Sequence, residues 1–193
     1  GITFRAWDQS SGAAGSTANT TSNGGTTAFS SATASASITV NAVNDAPVNN
    51  LPGAQSTAQN TALILSTGNG NLITISDVDA GGSSEQLTLS AGHGVLTLAQ
   101  TTGLTFVSGT GTADASMTFT GSLANINAAL DGLRYDPALN YSGSDAITLT
   151  SNDLGNSGSG GAQSSTNALV VNVAFINSAP VLSGANNLTT INE

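Results

Sequence analysis

Two aspartates separated by one residue, Asp77 and Asp79, directly follow the alternating apolar run Leu72-Ile73-Thr74-Ile75. In an extended chain, residues two apart project from the same side, so the two carboxylates are expected to lie together. Two like charges held close repel each other unless a cation lies between them. Clusters of oxygen ligands suit Ca²⁺, which takes about six to eight of them. Zinc and copper sites are excluded because the chain has no Cys and a single His, His93.

Most other acidic residues are expected to have structural roles. Asp is a frequent turn residue and helix cap because its side chain accepts hydrogen bonds from nearby backbone N–H groups. Glu85 lies near the Asp77–Asp79 loop and could be a ligand, although a solvated position is the expectation. Asp145 is interpreted as the start of a strand. Turn or capping roles are expected for four aspartates: Asp8, Asp114, Asp131 and Asp136.

No motif predicts catalysis. His93 lies in Ala91-Gly92-His93-Gly94, which is typical of a turn between two strands, and no strand–turn–helix nucleophile elbow accompanies it. A carboxylate pair for glycoside hydrolysis is not decided by spacing along the chain, but nothing indicates one. We therefore expect that this chain is not an enzyme.

The composition limits the partners. The 193 residues include eleven acids against two arginines, Arg5 and Arg134, for a formal charge of −9. Two basic residues cannot neutralise a phosphate backbone or an anionic membrane surface, so nucleic-acid binding and membrane insertion are not expected. With 38 % hydrophobic and 7 % charged residues, the chain is not of the disordered class. Without Cys or Lys it can form neither disulfides nor Lys–Asn isopeptide bonds, which leaves a metal as a means of stabilisation.

The elements that must position these acids are short strands. Leu123, Ile126, Leu130 and Leu133 recur at helical spacing after Ser122, a suitable N-cap, and predict one short helix. Elsewhere the apolar period is mostly two, with Gly, Asn, Asp and Ser between the runs, which favours an antiparallel sandwich. The predicted strands are 63–65, 72–75, 87–89, 95–98, 104–107, 117–120, 146–150 and 168–173.

An internal repeat divides the chain. The segment Ile2–Asp8 aligns with Ile147–Asp153, 145 residues later. The segment from Ile38 to Val48, also expected to begin as a strand, aligns with Val171–Val181 at an offset of 133 residues. We interpret residues 1–46 as the C-terminal part of one repeat, 47–179 as a complete repeat and 180–193 as the start of a third, within a longer protein.

Asn44-Asp45-Ala46-Pro47, Asn152-Asp153-Leu154-Gly155 and the stretch from Tyr135-Asp136-Pro137 to Asp145 resemble the cadherin-like tandem repeats of giant bacterial adhesins and biofilm-associated surface proteins. The resemblance implies a cadherin- or immunoglobulin-like antiparallel β-sandwich with calcium between successive domains. The metal ligands that it implies are Asn44, Asp45, Asp77, Asp79 and Asp153. Two departures from the family pattern are present: Ser178 stands where the first junction has Asp45, which weakens the second site, and Gln59-Asn60, whose amides bind calcium more weakly, stands where an acidic pair is common.

These expectations combine into one function. The chain is expected to be an extracellular, calcium-binding extender repeat at the bacterial cell surface. Its partners would be the neighbouring repeats, and through its adhesin it would support adhesion and biofilm formation, with contacts to surface glycans or other cells. Two alternatives remain open: a module that recognises carbohydrate or another copy of itself, and an accessory domain of a secreted enzyme.

Overall fold

The computed structural model describes residues 1–177 and 179. The chain forms two compact units, Gly1–Asn41 and Ala42–Glu193, called here the hairpin unit and the sandwich unit. The predicted third repeat at 180–193, and Ser178 at its junction, lie outside the described residues. None of the described helices is long and apolar enough to cross a membrane.

The hairpin unit contains two antiparallel strands, β1 (Ile2–Trp7) and β2 (Phe29–Ala36). The expected strand at Ile38–Val40 does not form, because Ile2 already pairs with Ala36 and β1 has no residue left opposite this segment. The guanidinium of Arg5 donates hydrogen bonds to the carbonyl oxygens of Ser30 and Ser31, at 2.8 and 2.5 Å. The Arg5 guanidinium therefore bonds to the backbone of its own hairpin unit.

Within its described residues, the sandwich unit holds eleven strands, one α-helix and one short 3-10 helix. A six-stranded sheet runs in the order β4-β13-β12-β7-β10-β9, a three-stranded sheet in the order β5-β11-β8, and β3 pairs with β6. All pairs are antiparallel except β13 with β4. The elements are β3 (Val48–Asn50), β4 (Gln55–Ala58), β5 (Leu63–Leu65), the 3-10 helix (Thr67–Asn69), β6 (Thr74–Ser76), β7 (Ser84–Ala91), β8 (Gly94–Thr97), β9 (Thr105–Ser108), β10 (Ser116–Ser122), α1 (Leu123–Leu130), β11 (Leu133–Pro137), β12 (Gly143–Asn152) and β13 (Ser164–Ala174).

The alternation of apolar residues produces a single core. Alternate residues are buried in β7 from Glu85, in β12 from Asp145 and in β13 from Leu169, so the large sheet turns one face inward. Leucines of β5, β8 and β11 pack against that face in the same cluster, together with the fully buried Tyr135. The prediction of an all-β sandwich with one short helix is confirmed.

The helix α1 forms at the predicted place and positions the segment that precedes the aspartate pair, but Leu133, which was counted in its periodicity, begins β11 instead. The Ser122 hydroxyl accepts a hydrogen bond from the backbone N–H of Asn125 at 3.3 Å, and the helix buries Ile126, Ala129 and Leu130. From the same helix, the side-chain amide of Asn127 accepts from the Ile75 N–H at 2.8 Å and donates to the Ile75 carbonyl at 2.9 Å. These two hydrogen bonds hold β6, and therefore the turn that follows it, against α1.

Candidate functional site

Three segments of the sandwich unit meet at one place: the linker at 44–45, the turn that follows β6 and the turn that follows β12. The linker is held there by its backbone. The N–H of Asn44 donates to the Ser159 carbonyl at 2.9 Å, and the Ser159 N–H donates to the Ala42 carbonyl at 2.9 Å. All five residues predicted as metal ligands lie in these three segments.

Asn44 connects the linker to the late turn. Its side chain is buried, and its amide donates to Asp153 Oδ2 at 2.5 Å and to the Gly161 carbonyl at 2.8 Å. Its own Oδ1 accepts from the Ser157 hydroxyl at 3.0 Å. Every polar atom of the Asn44 side chain is therefore used to fix the linker.

Asp153 is a buried carboxylate that the turn keeps ionised. Its Oδ1 accepts the backbone N–H groups of Gly155 and Gln163, both at 2.8 Å. Burial opposes ionisation, but these donors and the Asn44 amide outweigh it and lower the pKa of Asp153 below its ordinary value. Asp153 is thus a preformed negative group at the end of β12.

Asp77 and Asp79 come together through a turn and not, as expected, through an extended strand. The strand β6 ends at Ser76, the Asp79 N–H donates to Asp77 Oδ1 at 3.0 Å, and Val78 points outward. Asp79 Oδ2 accepts the backbone N–H of Asp45 at 3.0 Å, so Asp45 meets the cluster through its main chain while the residue itself is exposed. Asp77 Oδ2 and Asp79 Oδ1 are buried without any hydrogen-bond partner.

These two carboxylates have opposite pKa shifts. Burial, followed by the contact with Asp79, raises the pKa of Asp77. The Asp77 side chain and the Asp45 N–H lower the pKa of Asp79. Of the pair, Asp77 therefore holds a proton to higher pH.

Glu85 is the residue that the sequence interpretation misplaced. Its expected solvated position is wrong: the residue is 1 % exposed, and neither carboxylate oxygen has a hydrogen-bond partner. It occupies an inward position of β7, in phase with Leu87 and Leu89. Burial, and then the charges of Asp77 and Asp153, raise the pKa of Glu85 to about 7. An alternation of Glu85 with two core leucines was the signal available in the sequence.

No basic side chain among the described residues neutralises this cluster. Arg134 forms a bidentate pair with Asp136, at 2.6 and 2.5 Å, and Arg5 bonds carbonyls of the hairpin unit. Asp136 was expected to shape a turn, and this ion pair corrects that expectation. The remaining positive candidate, His93, lies 3.4 Å from Asp145. Four carboxylates thus share one place without a positive partner in the described part of the chain.

The cluster offers only oxygen atoms, the ligands of hard cations such as Ca²⁺. In residues 1–177 and 179, no three His, Cys, Asp or Glu side chains are already drawn together as a metal-binding group. The buried, unpartnered oxygens nevertheless fit a cation, because a buried carboxylate oxygen without a donor is otherwise unfavourable.

Asp145 is buried for a different reason. It lies inside β12 rather than at its start, and its Oδ2 accepts the Tyr135 hydroxyl at 2.6 Å and the His93 N–H at 2.9 Å. The His93 ring stacks on Tyr141 with the ring centroids 4.3 Å apart. Because its hydrogen bonds are satisfied within the fold, Asp145 is structural. The expected turn roles of the other aspartates are seen at Asp8, Asp114 and Asp131, which accept backbone N–H groups of nearby loops.

A comparison of this chain with known protein families finds no family that matches it. A search of curated proteins likewise finds no match.

Proposed function

We propose that the sandwich unit is a calcium-stabilised structural repeat of a large secreted bacterial adhesin. The observation that carries this proposal is the set of buried, unpartnered carboxylate oxygens at the linker, together with the lack of a positive partner among the described residues. Asp77 and Asp79 bind the ion directly, with Asp153 and Asp45 close by and Asn44 holding the linker in place. The unit has no catalytic role in this proposal.

The pairing of strands supports a tandem arrangement. In the hairpin unit Ile2 pairs with Ala36. The two repeat offsets found in the sequence convert this pair into Ile147 and Leu169, which pair in β12 and β13. The next three pairs along the strands agree in the same way. A common register in the two units is what two copies of one repeat would have.

Calcium would act by fixing the linker. Without the ion, repulsion among the carboxylates opposes the contact of the 44–45 linker with the turns that follow β6 and β12. With the ion bound, the linker is held at one angle, and a series of such repeats becomes a stiff, extended rod. Extracellular modules bind calcium with dissociation constants on the order of 10⁻⁴–10⁻³ M, which matches a protein that works outside the cell beside its neighbouring repeats.

Thermal unfolding of the chain in calcium, in magnesium and in excess EGTA tests the proposal. At a calcium concentration ten times the dissociation constant, ligand linkage adds about 1.4 kcal/mol, which raises the midpoint by several degrees in a domain of this size. Magnesium should produce little change, because its small octahedral shell suits a loose carboxylate cluster poorly.

The double variant Asp77→Asn/Asp79→Asn should lose the calcium-dependent rise. Asp131→Asn is the matched control, since Asp131 is an exposed carboxylate that accepts hydrogen bonds only from Thr67. An equal fall of the midpoint in calcium and in EGTA for the double variant, or no calcium effect on the unaltered chain, would contradict the proposal.

A further inference from the structure

We propose that Glu85 is a direct calcium ligand and that the ion site is complete within the sandwich unit, with no ligand from the hairpin unit. This inference rests on the proposed calcium function and goes beyond the ligand set taken from the sequence resemblance. Calcium would then join the linker of the unit to the first residues of its own β7.

The position of Glu85 carries the first step. Glu85 lies two residues before Leu87 and four before Leu89 in β7, and both leucines are fully buried. Since alternate residues of a strand face the same side, the Glu85 side chain points toward the core. A glutamate at such a position is normally paired with Arg or Lys, or hydrogen-bonded. Glu85 has neither kind of partner among the described residues.

The distribution of unsatisfied atoms carries the second step. Five buried side-chain atoms in the described residues have no hydrogen-bond partner, and four of them are oxygens of Asp77, Asp79 and Glu85. Native folds satisfy nearly all such atoms, so their concentration at one place indicates a missing positive group. The fifth atom, Asn49 Oδ1, belongs to an amide that donates to Ser165.

The charges of the cluster carry the third step. The side-chain amide of Asn156 donates to the carbonyl oxygens of Ser84 and Asp153, at 2.8 and 2.9 Å, so the start of β7 is held against the turn that carries Asp153. Asp45 itself is exposed. The negative charges of Asp77, Asp153 and Asp79 all act on Glu85, and a divalent cation bound among them would be attracted by each.

The count of oxygens carries the fourth step. Ca²⁺ requires about six oxygen ligands, and the four unpartnered oxygens would supply more than half of them. Asp153 Oδ2, whose only hydrogen-bond partner is the Asn44 amide, could supply another. Water can fill the remaining positions. Every one of these side chains belongs to the sandwich unit, so the ion site needs no ligand from the hairpin unit.

Calcium titration of the 193-residue chain by calorimetry, with terbium luminescence as a second probe of the same site, tests this inference. Glu85→Gln should weaken calcium binding at least tenfold. In EGTA the same variant should melt at a temperature equal to or higher than the unaltered chain, because it removes a buried, repelled charge. A residue with only a structural role would instead lower the midpoint in both conditions. Glu85→Asp, which keeps the charge on a shorter side chain, should bind with intermediate affinity.

Asp8→Asn is the matched control in the hairpin unit. Asp8 accepts the N–H of Ser10 at 2.8 Å, as Asp153 accepts the N–H of Gly155 at the same distance, so the two turns are alike. The control should bind calcium within about twofold of the unaltered chain. A large loss in Asp8→Asn would overturn the completeness of the site.

The outcomes separate the two proposals. If the unaltered chain binds calcium, Asp77→Asn/Asp79→Asn abolishes binding and Glu85→Gln leaves it unchanged, the calcium function stands and the role of Glu85 is overturned. If the unaltered chain binds no calcium, both proposals fail. Circular dichroism of Glu85→Gln in EGTA shows whether the variant folds. If it does not fold, the calcium affinity of Glu85→Asp tests the role of Glu85 instead.

Discussion

In the absence of calcium, the stability of this protein should fall as the pH rises from about 5 to 7. The cause is Glu85, whose pKa is raised from an ordinary 4.5 to about 7 by burial and by the neighbouring carboxylates. Between these two values the folded chain keeps the proton and the unfolded chain releases it. The folded state therefore binds more protons, and each step to higher pH favours unfolding.

The magnitude follows from the same two values. One pKa unit corresponds to about 1.4 kcal/mol, so the full difference gives an upper limit of roughly 3 kcal/mol. Charge interactions inside proteins are effectively weaker than those in a dry interior, and we expect a loss of about 2 kcal/mol. The loss is complete above the folded pKa, so stability should level off near pH 8. The lowered pKa of Asp153 acts in the opposite direction, but only as the pH falls through the acid range below about 4.

Urea unfolding in EGTA at pH 5, 6, 7 and 8, followed by far-ultraviolet circular dichroism, measures this loss. Glu85→Gln should remove most of the slope, because a neutral amide does not titrate. The control Asp131→Asn should retain it. A stability that stays constant or rises between pH 5 and 7, or an equal slope in Glu85→Gln, would refute the reasoning.

Three further predictions concern the fold around the site. Tyr135→Phe removes a hydroxyl donor from Asp145 and should cost about 1–3 kcal/mol, equally in calcium and in EGTA, by thermal unfolding. Leu130→Ala in the helix should cost about 2–5 kcal/mol in urea unfolding, whereas Leu139→Ala at an exposed loop should change stability by less than about 0.5 kcal/mol. Asn44→Ala frees the linker and should reduce the calcium-induced rise of the melting midpoint in the same calcium and EGTA scans.

The fold could be predicted where apolar residues alternate. Alternate side chains are buried through most of β7 and β12 and in the second half of β13, and that period is visible in the sequence. The strands β3 and β4 were not predicted, because Val48–Asn50 and Gln55–Ala58 are mostly polar and their pairing is fixed by distant partners. The strand after Leu72 begins only at Thr74.

The candidate site could be predicted in part. The Asp-x-Asp spacing, the Asn-Asp junction and the late turn at Asp153 gave five residues that the structure brings into adjacent segments. Glu85 was misplaced because this acid was assumed to face water, and Asp145 because the strand was expected to begin there, whereas β12 begins at Gly143. Both are in phase with buried neighbours, Glu85 with Leu87 and Asp145 with Ile147. An acid in phase with the core residues of a strand is a signal of a buried charge, and the partner of that charge depends on contacts that are distant in sequence.

The parallel pairing of β4 with β13 has a mechanical consequence. It joins β4, the second strand of the sandwich unit, to β13, the last strand among the described residues, through the pairs Gln55–Val171 to Ala58–Ala174. Because the two strands are parallel, a force that pulls the unit from its two ends displaces β4 and β13 in opposite directions along their length. The hydrogen bonds between them are then loaded in shear and must break together. Strands that are opened from one end lose their bonds one at a time. The unit is therefore built to bear tension along its length.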